Sequence, residues 1–220
     1  MTYRLYGASG SRHMLTEMVL AEGGLDYEVE LLDIKAGDHR KPAFLSINPM
    51  GWIPALATPK DEIWFETPAI GMMLAERHGI DLFPGPADKD RARFLACLFN
   101  VTGEVEPAMK RAFYPQRYAV RPDQTDAIWN MAWRDVKDRL ALIDTALQDG
   151  PFFLGQRYSL ADLTLAYWVA YLDQKNGLAD IPTVMRLYQA VKARPLITEL
   201  FAHHVETIET GAWAARVPDA

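Results

Sequence analysis

The sequence predicts an α/β domain over residues 1–80, a linker at 81–88 and an all-helical domain over 89–220. Three observations predict this. The first 32 residues read strand, helix, strand, which favours a parallel pair joined by a right-handed crossover. Leu82-Phe83-Pro84-Gly85-Pro86-Ala87 is dense in proline and glycine, the composition of a boundary. Beyond it the apolar residues recur at helical spacing and no convincing strand pattern follows.

Each element has its own justification. Tyr3 to Gly7 is short, aromatic-rich and ends at glycine, so it reads as the first strand. Ala8-Ser9-Gly10-Ser11 is a turn of small residues. From Arg12 to Gly23, Leu15, Met18 and Val19 fall on one side of a helix, which Gly23-Gly24 stops. Tyr27 to Leu32 alternates apolar residues with Glu, as a strand does. Lys35 to Lys41 is a polar loop, and Pro42 to Ile47 a short helix. Ala55–Ala57 and Ile63–Phe65 are strands joined by Pro59-Lys60-Asp61-Glu62, short enough for an antiparallel hairpin. A helix over 67–78 follows, with Thr67 as its expected cap and Pro68 at the first helical position, where a missing N–H costs nothing.

In the second domain, residues 88–113 read as helix bent or broken near Pro107. The clearest helix spans 123–148, with Ile128, Ala132, Val136, Leu140, Ile143 and Leu147 keeping one face apolar. Ser159-Leu160-Ala161-Asp162 is a capping-box pattern opening a helix apolar on most sides, which belongs at the centre of a domain. Further helices are expected over 183–193 and after Pro195, with a loose tail from Gly211.

Composition narrows the function classes. Half the residues are hydrophobic and the net charge is −6, which argues against an electrostatic nucleic-acid binder. The single cysteine, Cys97, permits no internal disulfide. The N-terminus lacks the basic and apolar regions of a signal peptide, and no apolar run reaches the ~20 residues of a membrane helix. A cytoplasmic, reducing location is the expectation.

The stretch Asn48-Pro49-Met50-Gly51-Trp52-Ile53-Pro54-Ala55-Leu56 sits at the centre of the first domain. An X-Pro bond is the one peptide bond that adopts cis cheaply. A trans Pro54 in an ordinary turn is the base-rate reading. A cis bond would instead turn the Ile53 backbone outward, where a peptide-like ligand pairs with it as an added strand would.

Three motifs, in order and spacing, resemble the cytosolic glutathione transferases. Asn48, Pro49, Gly51, Pro54 and Leu56 match that family's Asn-Pro-x-Gly-x-x-Pro-x-Leu. Glu66, Ala69 and Ile70 match its Glu-Ser-x-Ala-Ile, with Thr67 replacing serine. Phe153, Leu154, Gly155, Ser159 and Asp162 match its Phe-Leu-x-Gly and capping box. The resemblance covers nearly the whole chain. It implies a thioredoxin-like first domain that binds glutathione as co-substrate, an all-helical second domain, a homodimer and no metal. It also reverses the expectation for Pro54, to cis.

What the resemblance implies can be set against the chemistry of each residue. Glu66 offers a carboxylate to the amine of the γ-glutamyl end of glutathione. Thr67 offers a hydroxyl and an N–H at a helix N-terminus to its carboxylate. The ordinary roles are a solvated carboxylate for Glu66 and a plain cap for Thr67. Ile53, before Pro54, pairs its backbone with the cysteinyl part. His39, or Lys35 from the same loop, holds the glycine carboxylate; as ordinary loop residues both are simply solvated.

The catalytic group in this family is a Tyr, Ser or Cys near the end of the first strand. A free thiol has a pKa of roughly 8.5, so stabilising the thiolate is the task. Ser11 has the spacing of serine-type, theta- or zeta-like members and is the first choice; Ser9 is the second. As plain turn residues, both serve capping. Tyr6 points into the core, and Arg12 is placed to support the thiolate electrostatically. No cysteine lies in the turn, which disfavours thiol–disulfide chemistry, and Cys97 reads as an inert buried thiol. Met109, Phe113, Tyr114, Arg117 and Tyr118 are expected to wall the site of a small hydrophobic electrophile, with helix packing as the ordinary alternative. Trp52 replaces the small or polar residue common at its motif position, and is expected to narrow the glutathione site or pack on a partner subunit. The competing readings are a non-catalytic binding or regulatory module and a carrier of hydrophobic ligands. The intact Glu66-Thr67 pair and Ser11 favour the enzyme.

Overall fold

A computed structural model describes residues 2–147, 150–173 and 180–210. The tail from Gly211 lies outside the described residues. The chain divides into two compact units, Met1–Phe83 with Arg194–Thr207 and Pro84–Ala193 with Ile208–Ala220.

The first unit is built on four strands: β1 (Tyr3–Gly7), β2 (Tyr27–Leu31), β3 (Ala55–Ala57) and β4 (Ile63–Phe65), in the order β2-β1-β3-β4. β1 and β2 are parallel, as the crossover through α1 (His13–Glu22) requires. β3 runs antiparallel to both β1 and β4, so the 58–62 turn closes the expected hairpin. Leu5 of β1 pairs with Leu56 of β3, and both are fully buried. Apolar residues on these inner strands face the core, while on the edge strand β2 both Val29 and Leu31 are exposed.

α1 carries Met14, Leu15, Met18, Val19 and Leu20 inward against β1 and α3 (Thr67–His78), whose Ile70 and Leu74 are fully buried. The short α2 (Pro42–Leu45) sends Phe44 edge-on against Tyr6 at 5.9 Å, which fixes Tyr6 as a core residue. Residues 194–207 return to this unit: the Arg194 guanidinium donates to both carboxylate oxygens of Glu22, at 2.5 and 2.7 Å. A two-pronged contact of this kind constrains angle as well as distance.

The second unit is helical: α4 (Arg91–Asn100), α5 (Glu106–Phe113), α6 (Thr125–Ala146), α7 (Leu160–Asp173) and α8 (Pro182–Lys192), while α9 (Thr198–Thr210) begins in the first unit. α7 is the hub, with every side chain from Leu160 to Leu172 buried. Its start is locked by the Asp162 carboxylate. That group accepts the Phe153 N–H at 2.7 Å, the Ser159 N–H at 2.8 Å and the Ser159 hydroxyl at 2.6 Å.

One local expectation is narrowed and one is corrected. Of the bend or break expected near Pro107, the break does not occur. A wide π turn, Val101–Val105, joins α4 to α5 without interruption. Pro107 has no N–H for the carbonyl four residues back, and a π turn just before it absorbs the mismatch. Thr67 is not the cap of α3. Glu66 holds that position, Thr67 and Pro68 fill the first two helical positions, and no side chain caps the end.

Candidate functional site

The segment 48–54 is a preformed loop. Asn48 is buried; its side-chain N–H donates to the Trp52 carbonyl at 2.7 Å, and its Oδ1 accepts the Met50 N–H at 3.2 Å. Gly51 has φ +62°, a left-handed conformation that glycine adopts without a Cβ penalty. A Cβ there would also stand 2.9 Å from the Arg40 guanidinium and 3.0 Å from the His39 carbonyl. Both constraints explain Asn and Gly at this spacing. The loop ends in a cis Ile53–Pro54 bond. Among the described residues no backbone hydrogen bond reaches the Ile53 N–H or C=O.

Opposite stands the start of α3. Glu66 is exposed and has φ +68° and ψ +109°, a left-handed backbone conformation costly for a residue with a Cβ. Thr67 is 3% exposed, yet its hydroxyl has no partner among the described residues. A buried hydroxyl without a partner is uncommon enough to require an explanation. Ile53, Pro54, Glu66 and Thr67 line one small pocket with Arg12, which adds a cation from the start of α1. The enclosed space is small, and Met50, Trp52 and Phe65 form an exposed apolar rim around it.

The turn after β1 is ordered by Ser11. Its N–H donates to the Ala8 carbonyl at 3.0 Å, and its hydroxyl oxygen accepts the Ala8 N–H at 3.3 Å. The same oxygen lies 3.0 Å from Nδ1 of His13. His13 is buried, and burial pulls its pKa down to about 4, so the imidazole is neutral at pH 7. Ser9 is exposed.

The remaining expected residues lie apart from this pocket's lining. His39 sits in a short 3-10 turn, Asp38–Arg40, with a buried Nδ1 that has no partner among the described residues. Lys35 is exposed on the preceding turn. Arg40 touches the loop directly: its guanidinium stacks 5.4 Å from the Trp52 ring and donates to the Met50 carbonyl at 3.5 Å. In the second unit Met109 is completely buried. Phe113 packs on Trp133 and Tyr171, and Arg117 lies over the Tyr114 ring at 4.0 Å. Tyr118 is half exposed. Cys97 is half-buried with its pKa raised by burial. Among the described residues no group of three or more His, Cys, Asp or Glu could hold a metal ion. No helix among them is long and apolar enough to cross a membrane.

Comparison with known proteins decides the family. Residues 16–77 match the glutathione S-transferase N-terminal domain and residues 117–204 the glutathione S-transferase C-terminal domain. The chain is 29% identical over 217 residues to glutathione S-transferase 3 of Zea mays, covering 90% of this chain and 93% of that protein. It is 30% identical over 198 residues to the disulfide-bond oxidoreductase YfcG of Escherichia coli, covering 83% of this chain and 86% of that one. The chain belongs to the glutathione S-transferase family. Its fold is also that of glutathione transferase URE2P6 from Phanerochaete chrysosporium, solved with oxidized glutathione, with a TM-score of 0.83 at 21% identity over 93% of this chain and 97% of that one.

Within this glutathione transferase scaffold, the structure gathers Ile53, Pro54, Glu66 and Thr67 into one pocket and leaves Ser9, Ser11, Lys35 and His39 out of its immediate lining. Sequence reasoning missed two supporting side chains. Asn48 was visible as a motif letter, but its clamp on the loop was not. The other is His13, marked by being a polar residue that opens a helix whose buried face is apolar apart from Thr16.

Proposed function

We propose that the chain is a glutathione-dependent transferase that binds glutathione in the first unit and delivers its thiolate to a small hydrophobic electrophile. The observation that carries this reading is the set of unused hydrogen-bonding groups in one pocket. The Ile53 backbone suits the cysteinyl amide, the Thr67 hydroxyl and the α3 N-terminus suit the γ-glutamyl carboxylate, and the Glu66 carboxylate suits the amine. His39, Lys35 and Arg40 are the candidates to hold the glycine carboxylate, and Arg40 already donates to the Met50 carbonyl of the loop. Ser11 is the hydroxyl that holds the sulfur as thiolate, with Ser9 as the reserve, on the pattern of serine-type members; Arg12 favours the same charge. In conjugation the sulfur forms a C–S bond while the leaving group departs with the bonding pair. Met109, Phe113, Tyr114 and Arg117 belong to the walls or supports of the electrophile site in the helical unit, and a reducing cytoplasm supplies the glutathione.

Titration calorimetry with glutathione is the direct test, and Glu66→Ala is expected to weaken binding by about tenfold or more, as loss of a hydrogen bond to a charged group does. Glu66→Gly is expected to weaken it equally while keeping or raising the unfolding midpoint, because glycine relieves a left-handed backbone worth roughly 1–3 kcal/mol. Unchanged affinity in both variants places the γ-glutamyl subsite elsewhere.

The relationship to a disulfide-bond oxidoreductase favours a second reading, glutathione-dependent disulfide reduction. The turn holds no cysteine, so both thiols would come from glutathione. One thiolate attacks the disulfide and forms a mixed disulfide, releasing one substrate thiol. A second glutathione then resolves it to oxidized glutathione and the other substrate thiol. A panel of an aryl halide, a peroxide, an unsaturated diketo acid and a model disulfide separates the two. Turnover of the disulfide alone would replace the transferase reading; binding of glutathione with no turnover at all would favour the non-catalytic module.

The molecule is also proposed to work as a homodimer. Met50, Trp52, Phe65 and Met73 are exposed on the first unit at 59, 52, 46 and 39%, a quantity of apolar side chain that a partner subunit would cover. Sedimentation is expected to give twice the 24.8 kDa chain mass, and Trp52→Glu to shift it toward the monomer.

A further inference from the structure

The turn after β1 contains a buried histidine that the proposed chemistry does not yet use. We propose that His13 is a positioning residue: its imidazole, as the Nδ1–H tautomer, donates to the Ser11 hydroxyl oxygen and so leaves the Ser11 proton free to point at the sulfur of glutathione. This inference rests on the Ser11 reading above and adds the partner that Ser11 works through.

The geometry is specific. The two atoms are 3.0 Å apart, and His13 is 5% exposed. The Ser11 oxygen already accepts the Ala8 N–H, with the His13 N–H more distant at 3.5 Å. A hydroxyl has one proton to give and two lone pairs to fill. If Nδ1 were the acceptor, the serine proton would be spent on the ring and none would remain for a thiolate. With Nδ1–H as donor, the lone pairs are filled by the protein and the proton is left over. The tautomer therefore decides whether Ser11 can act as a donor at all.

The site is also built to hold this ring. A Cβ on Gly7 would lie 2.3 to 2.6 Å from three carbon atoms of His13, two of them in the ring. No side chain fits at Gly7 while the imidazole is where it is, which gives the glycine ending β1 a reason beyond strand termination. The low pKa of the ring, caused by burial, removes the obvious alternative that His13 takes the thiol proton itself. With so low a pKa the ring is a weak base for a thiol proton, which suits it to orienting its neighbour.

The test reads the thiol of bound glutathione by its ultraviolet thiolate absorbance as a function of pH. His13→Phe keeps the ring volume and removes the donor. It is expected to leave glutathione affinity within about twofold and to raise the thiol pKa by about one unit, a tenfold loss of thiolate at limiting pH, the lower end of what outer partners of a functional side chain contribute. His13→Asn, which returns an N–H near the Nδ1 position, is expected to recover most of the loss. In the Ser11→Ala background His13→Phe should add nothing, because its effect passes through Ser11. Nitrogen NMR of the wild-type protein labelled at its five histidines needs no variant, and should show Nδ1 protonated in the glutathione complex. If Nε2 carries the proton, or if His13→Phe leaves the thiol pKa unmoved while Ser11→Ala raises it, the His13 inference is overturned and the Ser11 reading stands. If Ser11→Ala itself has no effect, the Ser11 reading fails first.

Discussion

Ser11→Ala is expected to lower turnover by about a hundredfold while glutathione still binds, the scale on which one preorganised donor to a developing anion acts. The reasoning is electrostatic. The hydroxyl meets the sulfur only when it is charged, so its loss destabilises the thiolate more than the thiol. The pKa of the bound thiol then rises toward the free value of roughly 8.5, and the thiolate fraction at neutral pH falls to a few per cent. The sign follows directly: wild-type activity holds down to a lower pH, and the variant recovers as pH rises past its raised thiol pKa. A pH–rate profile of kcat/KM against an aryl halide reads this shift. If the profile of Ser11→Ala matches the wild type and that of Ser9→Ala moves instead, the donor is Ser9. Ser9 is exposed and Ser11 is fixed by the Ala8 amide, so the ordered hydroxyl is the one expected to matter.

The second large effect is on folding. Asp162→Ala is expected to cost about 3–5 kcal/mol, because it strands two buried N–H groups and a buried hydroxyl that the carboxylate now satisfies. For a chain of this size the thermal midpoint should drop by roughly 10 °C. Asp162→Asn adds a finer test. Burial raises the Asp162 pKa to about 6, against the hydrogen bonds from Ser159, Phe153 and its own backbone N–H that favour the ion. A folded pKa above the unfolded value means the folded state binds the extra proton. The resulting stability is present below about pH 4 and is lost as pH rises through 6, a change of about 3 kcal/mol for two units. Asn does not titrate, so the stability gap between wild type and Asp162→Asn is expected to narrow from pH 4 to 7 in chemical denaturation. A gap that widens with pH would show the hydrogen bonds outweighing burial.

Much of the fold was legible from one-dimensional signals. The strand–helix–strand opening gives the parallel β1–β2 pair, the 59–62 turn gives the antiparallel β3–β4 hairpin, and the uniformly apolar 160–172 segment gives the central helix. These are local: periodicity and turn chemistry act over a few residues, so the sequence carries them openly. Pro107 was less legible because a proline in a helix can be met by a kink or by a π turn, and neighbouring packing chooses between them.

By itself the sequence determined the family motifs, the capping box at Ser159–Asp162, and the residue types that could bind a tripeptide or charge its sulfur. Only the tertiary structure decided which of those groups face a common space and which are already engaged. Ile53, Glu66 and Thr67 are brought together with Arg12 by strand pairing across 40 residues of chain or more, a distance over which no local pattern speaks. The Ser11–His13 contact and its dependence on Gly7 are settled by packing density at the end of β1. Hydrogen-bond saturation is a property of three-dimensional neighbours, so no reading of residue types could have placed the His13 ring against the Ser11 hydroxyl.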